Sequence, residues 1–140
     1  MSRFVVDVPL RWSDQDAFGH VNHARTVTLL EDARVALLFD RAAADGGLTS
    51  LSTGLLVAAI SVDYRLPIPY RPHPVRTQLW VHGMRAASFL VEYLVHRGPS
   101  EDDPVAATAQ TKMVPYDLAS GRPRRLSDAE RGFLAQWSSD

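Results

Sequence analysis

The stretch HARTVTLLEDARVALLFDRAAA, residues 23–44, decides the fold. It holds no glycine or proline and is dense in Ala, Leu and Arg, all good helix formers. Val27, Leu30, Leu37 and Leu38 recur at helical spacing, and Leu29, Ala33 and Ala36 widen the apolar face. Asn22, just ahead, is a good N-cap, because its side-chain oxygen can accept one of the helix's unpaired N–H groups. Asp-Gly-Gly at 45–47 supplies a stop. The spacing predicts one long helix from about Asn22 to about Ala43.

On either side of it the chain reads as strands. FVVDVPLRW (4–12) is short and valine-rich, with Pro9 pointing to an edge position. GLLVAAISVDYRL (54–66) is a near-continuous apolar run, which predicts a strand covered on both faces. In VRTQLWVHGM, Val75, Thr77, Leu79 and Val81 alternate with Arg76, Gln78, Trp80 and His82. In SFLVEYLVHR, Phe89, Val91, Tyr93 and Val95 share one side. The link between these two segments is short, so they are expected to form an antiparallel hairpin. VAATAQTKMVPYD (105–117) is the next strand, after the polar turn GPSEDDP. LSDAERGFLAQW closes the chain with a capping box, Ser127 and Glu130, ahead of a short helix. One long helix against a mostly antiparallel sheet is an α+β design. No repeat or linker interrupts residues 1–140, so a single domain is expected.

Composition excludes several function classes. The formal net charge of -1 argues against a nucleic-acid footprint. With no cysteine, disulfide scaffolds, thiolate metal sites and cysteine nucleophiles are ruled out. No apolar run reaches the roughly 18 residues of a membrane span, and the N-terminus does not read as a signal peptide. A cytoplasmic setting is the expectation.

The chemistry is crowded into WSDQDAFGHVNHAR (12–25), directly before the helix. Asp14 and Asp16 stand two apart, so in an extended segment they share a side and can do acid–base work. Aspartates before a helix also simply cap it or make turns. His20 and His23, with the two aspartates, offer metal ligands, but the spacing fits no strong metal pattern. His73, His82 and His96 are expected to pack or face solvent. Gly19 lets the backbone approach a ligand, and the first N–H groups of a helix lack internal partners. An oxyanion could sit there, with Asp16 upstream to attack a carbonyl or activate water.

The run RWSDQDAFGHVNHARTVTLLEDAR (11–34) resembles the signature of the hot-dog acyl-CoA thioesterases, in the branch that includes 4-hydroxybenzoyl-CoA thioesterase. The matching positions are Asp14, Asp16, Gly19, His20, Val21, Asn22, Glu31 and Arg34, and VDYRLPIPY is similar to the family's segment after the second strand. The resemblance implies a long central helix wrapped by a curved antiparallel sheet. It implies a homodimer, often paired into a tetramer, with sites at the dimer interface. The reaction it implies is hydrolysis of an acyl-CoA thioester with no metal or redox cofactor. By the same resemblance Asp16 is the catalytic carboxylate and the His23 backbone N–H the oxyanion donor. Asp14, Gly19, His20 and Asn22 support them, and Thr26 and Leu30 lie at the acyl pocket. Thr26 stands where the family often has tyrosine, which bears on acyl specificity. Arg85, in the hairpin turn, is the first candidate for the CoA phosphates, and Arg65 and Arg71, by the proline-rich connection PIPYRPHP (67–74), are the others. Glu31 and Arg34, three apart, suit an ion pair on the helix.

Other readings are an acyl-thioester binding module without turnover, a thioesterase acting on acyl carrier protein, a hot-dog hydratase or dehydratase, and a metal-dependent enzyme using the same loop. A charged Asp16 beside the thioester argues against the first. Its spacing to His20 does not match the hydratases.

Overall fold

The computed structural model describes residues 2–140. Strand β1 spans Phe4–Val8, and a single 3-10 turn follows at Trp12–Asp14. Helix α1 then runs His23–Val35 and continues without a break through a π-helical stretch, Ala36–Arg41, into α2 at Ala42–Ala44. The N–H of Ala42 reaches back five residues to the Leu37 carbonyl, the π pattern. Four long strands come next: β2 (Leu55–Tyr64), β3 (Val75–His82), β4 (Phe89–His96) and β5 (Val105–Asp117). A two-residue β6 (Arg122–Pro123) and helix α3 (Asp128–Gln136) finish the chain.

The strands form one antiparallel sheet in the order β1-β3-β4-β5-β2, with β6 on the end of β5. The alternation predicted for β3 and β4 holds, every odd-numbered residue of both being buried. Leu29, Leu30, Ala33, Leu37 and Leu38 of the helix share one buried cluster with Leu79, Val81, Phe89, Val91, Tyr93 and Met113. Fully burying each such large side chain stabilises the fold by about 1.5–3 kcal/mol. Register shifts at Val57/Ala59 in β2 and Val95/His96 in β4 add the local bend that lets the sheet curl around the helix. The expected wrapped-helix architecture is what forms.

Three expectations need correction. Val27 is exposed rather than part of the buried helix face, because it points toward β2 at the rim of the sheet and not into its concave side. β2 is not covered on both faces. It is the last strand of the sheet, bonded among the described residues only to β5, and Leu56, Val57, Ile60 and Tyr64 are exposed. Its apolar run is real, but none of the described residues covers these exposed side chains. Asp14 and Asp16 do not share a side, since the 3-10 turn breaks the extended geometry that this required. β6 was not anticipated.

Candidate active site

The loop between β1 and α1 is built from its own polar groups. The Asp14 side chain is fully buried, and its carboxylate accepts the Arg11 N–H at 2.8 Å. Its other oxygen lies 3.6 Å from the Arg11 guanidinium and, among the described residues, has no hydrogen-bond partner. Arg11 also reaches Asp32 on α1 at 2.6 Å, so it ties the turn to the helix. The Asp14 carbonyl accepts the Asn22 N–H at 2.8 Å. Asp14 thus anchors the loop from inside.

Asp16 faces the other way. Its Oδ1 accepts the N–H of Phe18 at 2.8 Å and of His20 at 3.3 Å, closing a tight turn. Gly19 completes that turn at φ +77°, a left-handed conformation that suits glycine. The far side of the loop is held by the connection after β2, with Val21 N–H on the Ile68 carbonyl and Tyr70 N–H on the Gly19 carbonyl, both at 2.8 Å.

The helix then starts as the sequence predicts. Asn22 Oδ1 accepts the Ala24 N–H at 2.8 Å, and the Asn22 carbonyl accepts Arg25 and Thr26. Among the described residues, the N–H of His23, the first of the helix, has no acceptor. Asp16, His20, His23 and Thr26 line one cavity of about 370 Å³, together with Tyr64 and Arg65 from the end of β2. Ala106 and Ala107 of β5 add small side chains to its wall.

Two further hollows follow α1 toward its C-terminal half. The nearer is lined by Val27, Glu31, Arg34, Val57 and Ile60, the farther by Glu31, Arg34, Phe39, Leu55 and Met113. Together they extend a groove between α1 and β2. Arg34 sits 3.9 Å from Glu31, the expected pair, but also turns inward to the Tyr93 hydroxyl at 3.2 Å. Burial raises the Tyr93 pKa, against the pull of Arg34 and Thr111.

The remaining candidates are dispersed. Leu30 is fully buried in the core and is not part of the cavity wall. Arg71 is exposed and bonds its neighbour's carbonyl, that of Tyr70. Arg85 lies in the β3–β4 hairpin, at the opposite end of the strands from the loop, since Val8 pairs with Val75 at the start of β3. Eight residues of β3 put about 26 Å between those ends. At that far end Arg85, Arg125 and Arg131, with Asp128 of α3, line a hollow of about 400 Å³, and Arg131 bonds the Arg85 carbonyl at 2.9 Å. Arg125, Arg131 and Tyr64 were not singled out in the sequence. No local spacing connects residues this far apart. His73 is exposed, His82 pairs with Glu92 at 2.7 Å, and His96 is buried against Gln78. Among the described residues, no three His, Asp or Glu side chains converge as a metal-ligand set. No described helix is long and apolar enough to cross a membrane.

Comparison with known proteins gives the family and the fold. The pattern of the thioesterase-like superfamily matches residues 10–137. No curated protein matches the sequence. Among solved structures, a Thermus thermophilus thioesterase complexed with coenzyme A and Zn is 27% identical, with TM-score 0.72 over 99% of this chain and 95% of that one. A predicted thioesterase from Bacillus stearothermophilus is 19% identical, with TM-score 0.79 over 98% and 97%. A 1,4-dihydroxy-2-naphthoyl-CoA thioesterase from Synechocystis is 18% identical, with TM-score 0.76 over 96% of both chains. The last two speak for the fold alone. With the family pattern running from just after β1 to just past α3, the chain belongs to the thioesterase-like superfamily, a thioester hydrolase on the hot-dog fold.

Proposed function

We propose that this protein hydrolyses acyl-CoA thioesters with Asp16 as its catalytic carboxylate. The observation that carries the reading is the shared cavity: Asp16 and the helix start at His23, whose N–H is unpaired, line one space. A thioester carbonyl directed at the His23 N–H would have its developing oxyanion stabilised by that donor and by the positive end of α1. One preorganised donor of this kind is worth about 3 kcal/mol of barrier. Asp16 Oδ1 is engaged in its own turn, which leaves Oδ2 for the chemistry. As a base it takes a proton from water while the hydroxide adds to the carbonyl. The C–S bond then breaks, and the proton goes to the departing CoA thiolate. As a nucleophile Oδ2 would add to the carbonyl and expel the CoA thiolate, giving a mixed anhydride. Water then splits the anhydride into the free acid and the Asp16 carboxylate, and a proton from that water goes to the thiolate. Neither route needs a metal or redox cofactor, and CoA enters only as part of the substrate. Asp14, Gly19, His20 and Asn22 hold the loop in shape.

The acyl group would leave the cavity past Thr26 and follow the groove between α1 and β2. From His23 to Arg34 that groove runs about 16 Å along the helix. Its walls are mainly apolar, which suits an aliphatic or aromatic acyl chain. Arg65 stands at the cavity for the pantetheine side of the substrate. The CoA phosphates would be held by Arg85 with Arg125 and Arg131, and arginine suits bidentate phosphate contacts. That cluster is far from Asp16 of the same chain, so the reading calls for a homodimer. Two β2 edges pairing antiparallel would set the hairpin end of one subunit beside the loop end of the other. A second pairing through the outward face bearing Trp80 and Leu90 would give a tetramer.

The test is thiol release from a panel of acyl-CoAs by wild type and Asp16→Asn side by side. Hydrolysis by wild type and its loss in the variant support the reading, and the preferred chain names the substrate. Equal activity removes Asp16 from the mechanism. No turnover of any acyl-CoA moves acyl carrier protein substrates, or binding alone, to the front.

A further inference from the structure

Tyr64 ends β2 and lines the cavity with Asp16 and His23. Its hydroxyl donates to the His23 backbone carbonyl, a bond that joins the sheet to the first residue of α1 across 41 positions of sequence. Its ring meets the His23 ring edge-on, with centroids 6.3 Å apart.

The placing of that bond matters. The His23 carbonyl and the Ala24 N–H belong to one peptide group. Asn22 Oδ1 holds the N–H end at 2.8 Å, and at the carbonyl end Tyr64 joins the helix's own Val27 N–H as a second donor. Hydrogen bonds in series through a peptide strengthen one another. The preceding peptide is pinned as well, since the Asn22 carbonyl accepts the N–H groups of Arg25 at 2.9 Å and Thr26 at 3.1 Å. Both peptides flanking His23 are therefore fixed. The backbone group left without a partner between them is the His23 N–H.

We propose that Tyr64 is a positioning residue of the reaction: acting through the His23 peptide, its hydroxyl aims the His23 N–H at the oxyanion. The inference rests on the reading of Asp16 and His23 given above. Burial raises the Tyr64 pKa, and the Thr26 hydroxyl lowers it less, so the phenol keeps its proton and donates throughout the neutral range. Asn22 already caps the helix, and Tyr64 is 50% exposed, so the hydroxyl adds little to stability. Its effect falls on aim, which a preorganised donor needs and folding does not.

Tyr64→Phe keeps the ring and removes the hydroxyl. Steady-state kinetics on the preferred acyl-CoA are expected to show kcat down about tenfold, with KM within about twofold. The thermal midpoint stays within about 2 °C. In the free protein the His23 and Ala24 amide resonances shift while those of the strands do not. Asp16→Asn is measured in parallel. A fully active Tyr64→Phe beside an inactive Asp16→Asn overturns the role of Tyr64 and leaves the site standing. A change in KM alone makes Tyr64 a binding residue and overturns it too, as do unmoved amides. A wild type without activity, or an Asp16→Asn that keeps its rate, removes the site and this proposal together.

Discussion

Asp16 and His20 hold each other twice: the Asp16 N–H donates to the His20 carbonyl at 2.7 Å, and Asp16 Oδ1 accepts the His20 N–H at 3.3 Å. The candidate catalytic carboxylate is therefore also the clasp of its own loop. Asparagine can keep the clasp, since its amide oxygen can take the place of Oδ1, but it cannot act as a base. Asp16→Asn should lose at least about 100-fold in kcat, the lower bound for general-base catalysis, with its melting temperature nearly unchanged. Asp16→Ala should lose the same rate and about 1 kcal/mol of stability as well. Thiol release and thermal unfolding on the two variants separate the roles. An Asp16→Asn that unfolds as readily as Asp16→Ala would show that the charge, not the clasp, holds the loop.

Two glycines should fail for different reasons. Gly19 has φ +77° and open space where a Cβ would go. Gly19→Ala meets only backbone strain, about 1–2 kcal/mol, and the turn should relax in a way that moves Asp16. Gly54 has extended backbone that any residue adopts, but a Cβ there would lie 2.1 Å from the Tyr116 carbonyl oxygen. Gly54→Ala must push β2 away from β5, costing about 3 kcal/mol or more. Gly19→Ala is expected to hurt activity more than stability, and Gly54→Ala the reverse. Denaturant unfolding and kcat on the same samples decide it.

Much of this was legible in the sequence, and the limits have physical causes. The helix was readable from its composition and from Asn22, because capping and propensity are local. Its π-helical stretch at Ala36–Arg41 was not, since nothing in ALLFDR marks a shift in hydrogen-bond register. β3 and β4 were readable because one face is buried and the other is not. β2 misleads because an apolar run looks the same whether or not its own chain covers it. In the site, Asp16, Gly19, Asn22 and His23 are neighbours in sequence and could be found together. Tyr64 reaches His23 only through the return of β2 beside α1, and Arg85 meets Arg131 only where α3 docks on the hairpin.

Glu130 should make stability depend on acid pH. It is fully buried, and Arg124 holds both its oxygens at 2.8 and 2.7 Å, with Ser50 and the Ser127 N–H adding bonds. Burial raises its pKa, but the bonds from Arg124, Ser127 and Ser50 outweigh that and hold it at about 2. A depressed folded-state pKa stabilises the protein above the unfolded value of 4.5, and that contribution is lost as pH falls from there toward 2. The full contribution is about 3 kcal/mol. Thermal unfolding followed from about pH 6 to about pH 2.5 should show a steep fall for wild type. Glu130→Gln should start lower and fall less. Parallel curves for the two proteins would remove Glu130 as the source.

The two edges of the sheet are guarded differently, and this predicts which one pairs. β1 has five residues, carries Asp7, and is followed at once by Pro9. Such short, charged, proline-ended strands resist edge pairing. β2 has ten residues and no charge before Asp63. Its outer edge offers unpaired backbone groups beside exposed Leu56, Val57 and Ile60, and Val27 of α1 adds to the same patch. A second copy of β2, running antiparallel, would satisfy that edge and cover the patch at once. Val5 on β1 and Ile60 on β2 are equally exposed, at 44% and 42%, so exposure alone predicts the same effect for a lysine at either. Edge pairing predicts opposite effects. By light scattering, wild type and Val5→Lys should have at least twice the monomer mass, and Ile60→Lys should be a monomer. If the proposed CoA site is shared between subunits, the monomer should also lose acyl-CoA turnover, having no neighbour's Arg85, Arg125 and Arg131 beside its own Asp16. A monomeric wild type, or an Ile60→Lys that stays paired, would rule out β2 as the joint between subunits.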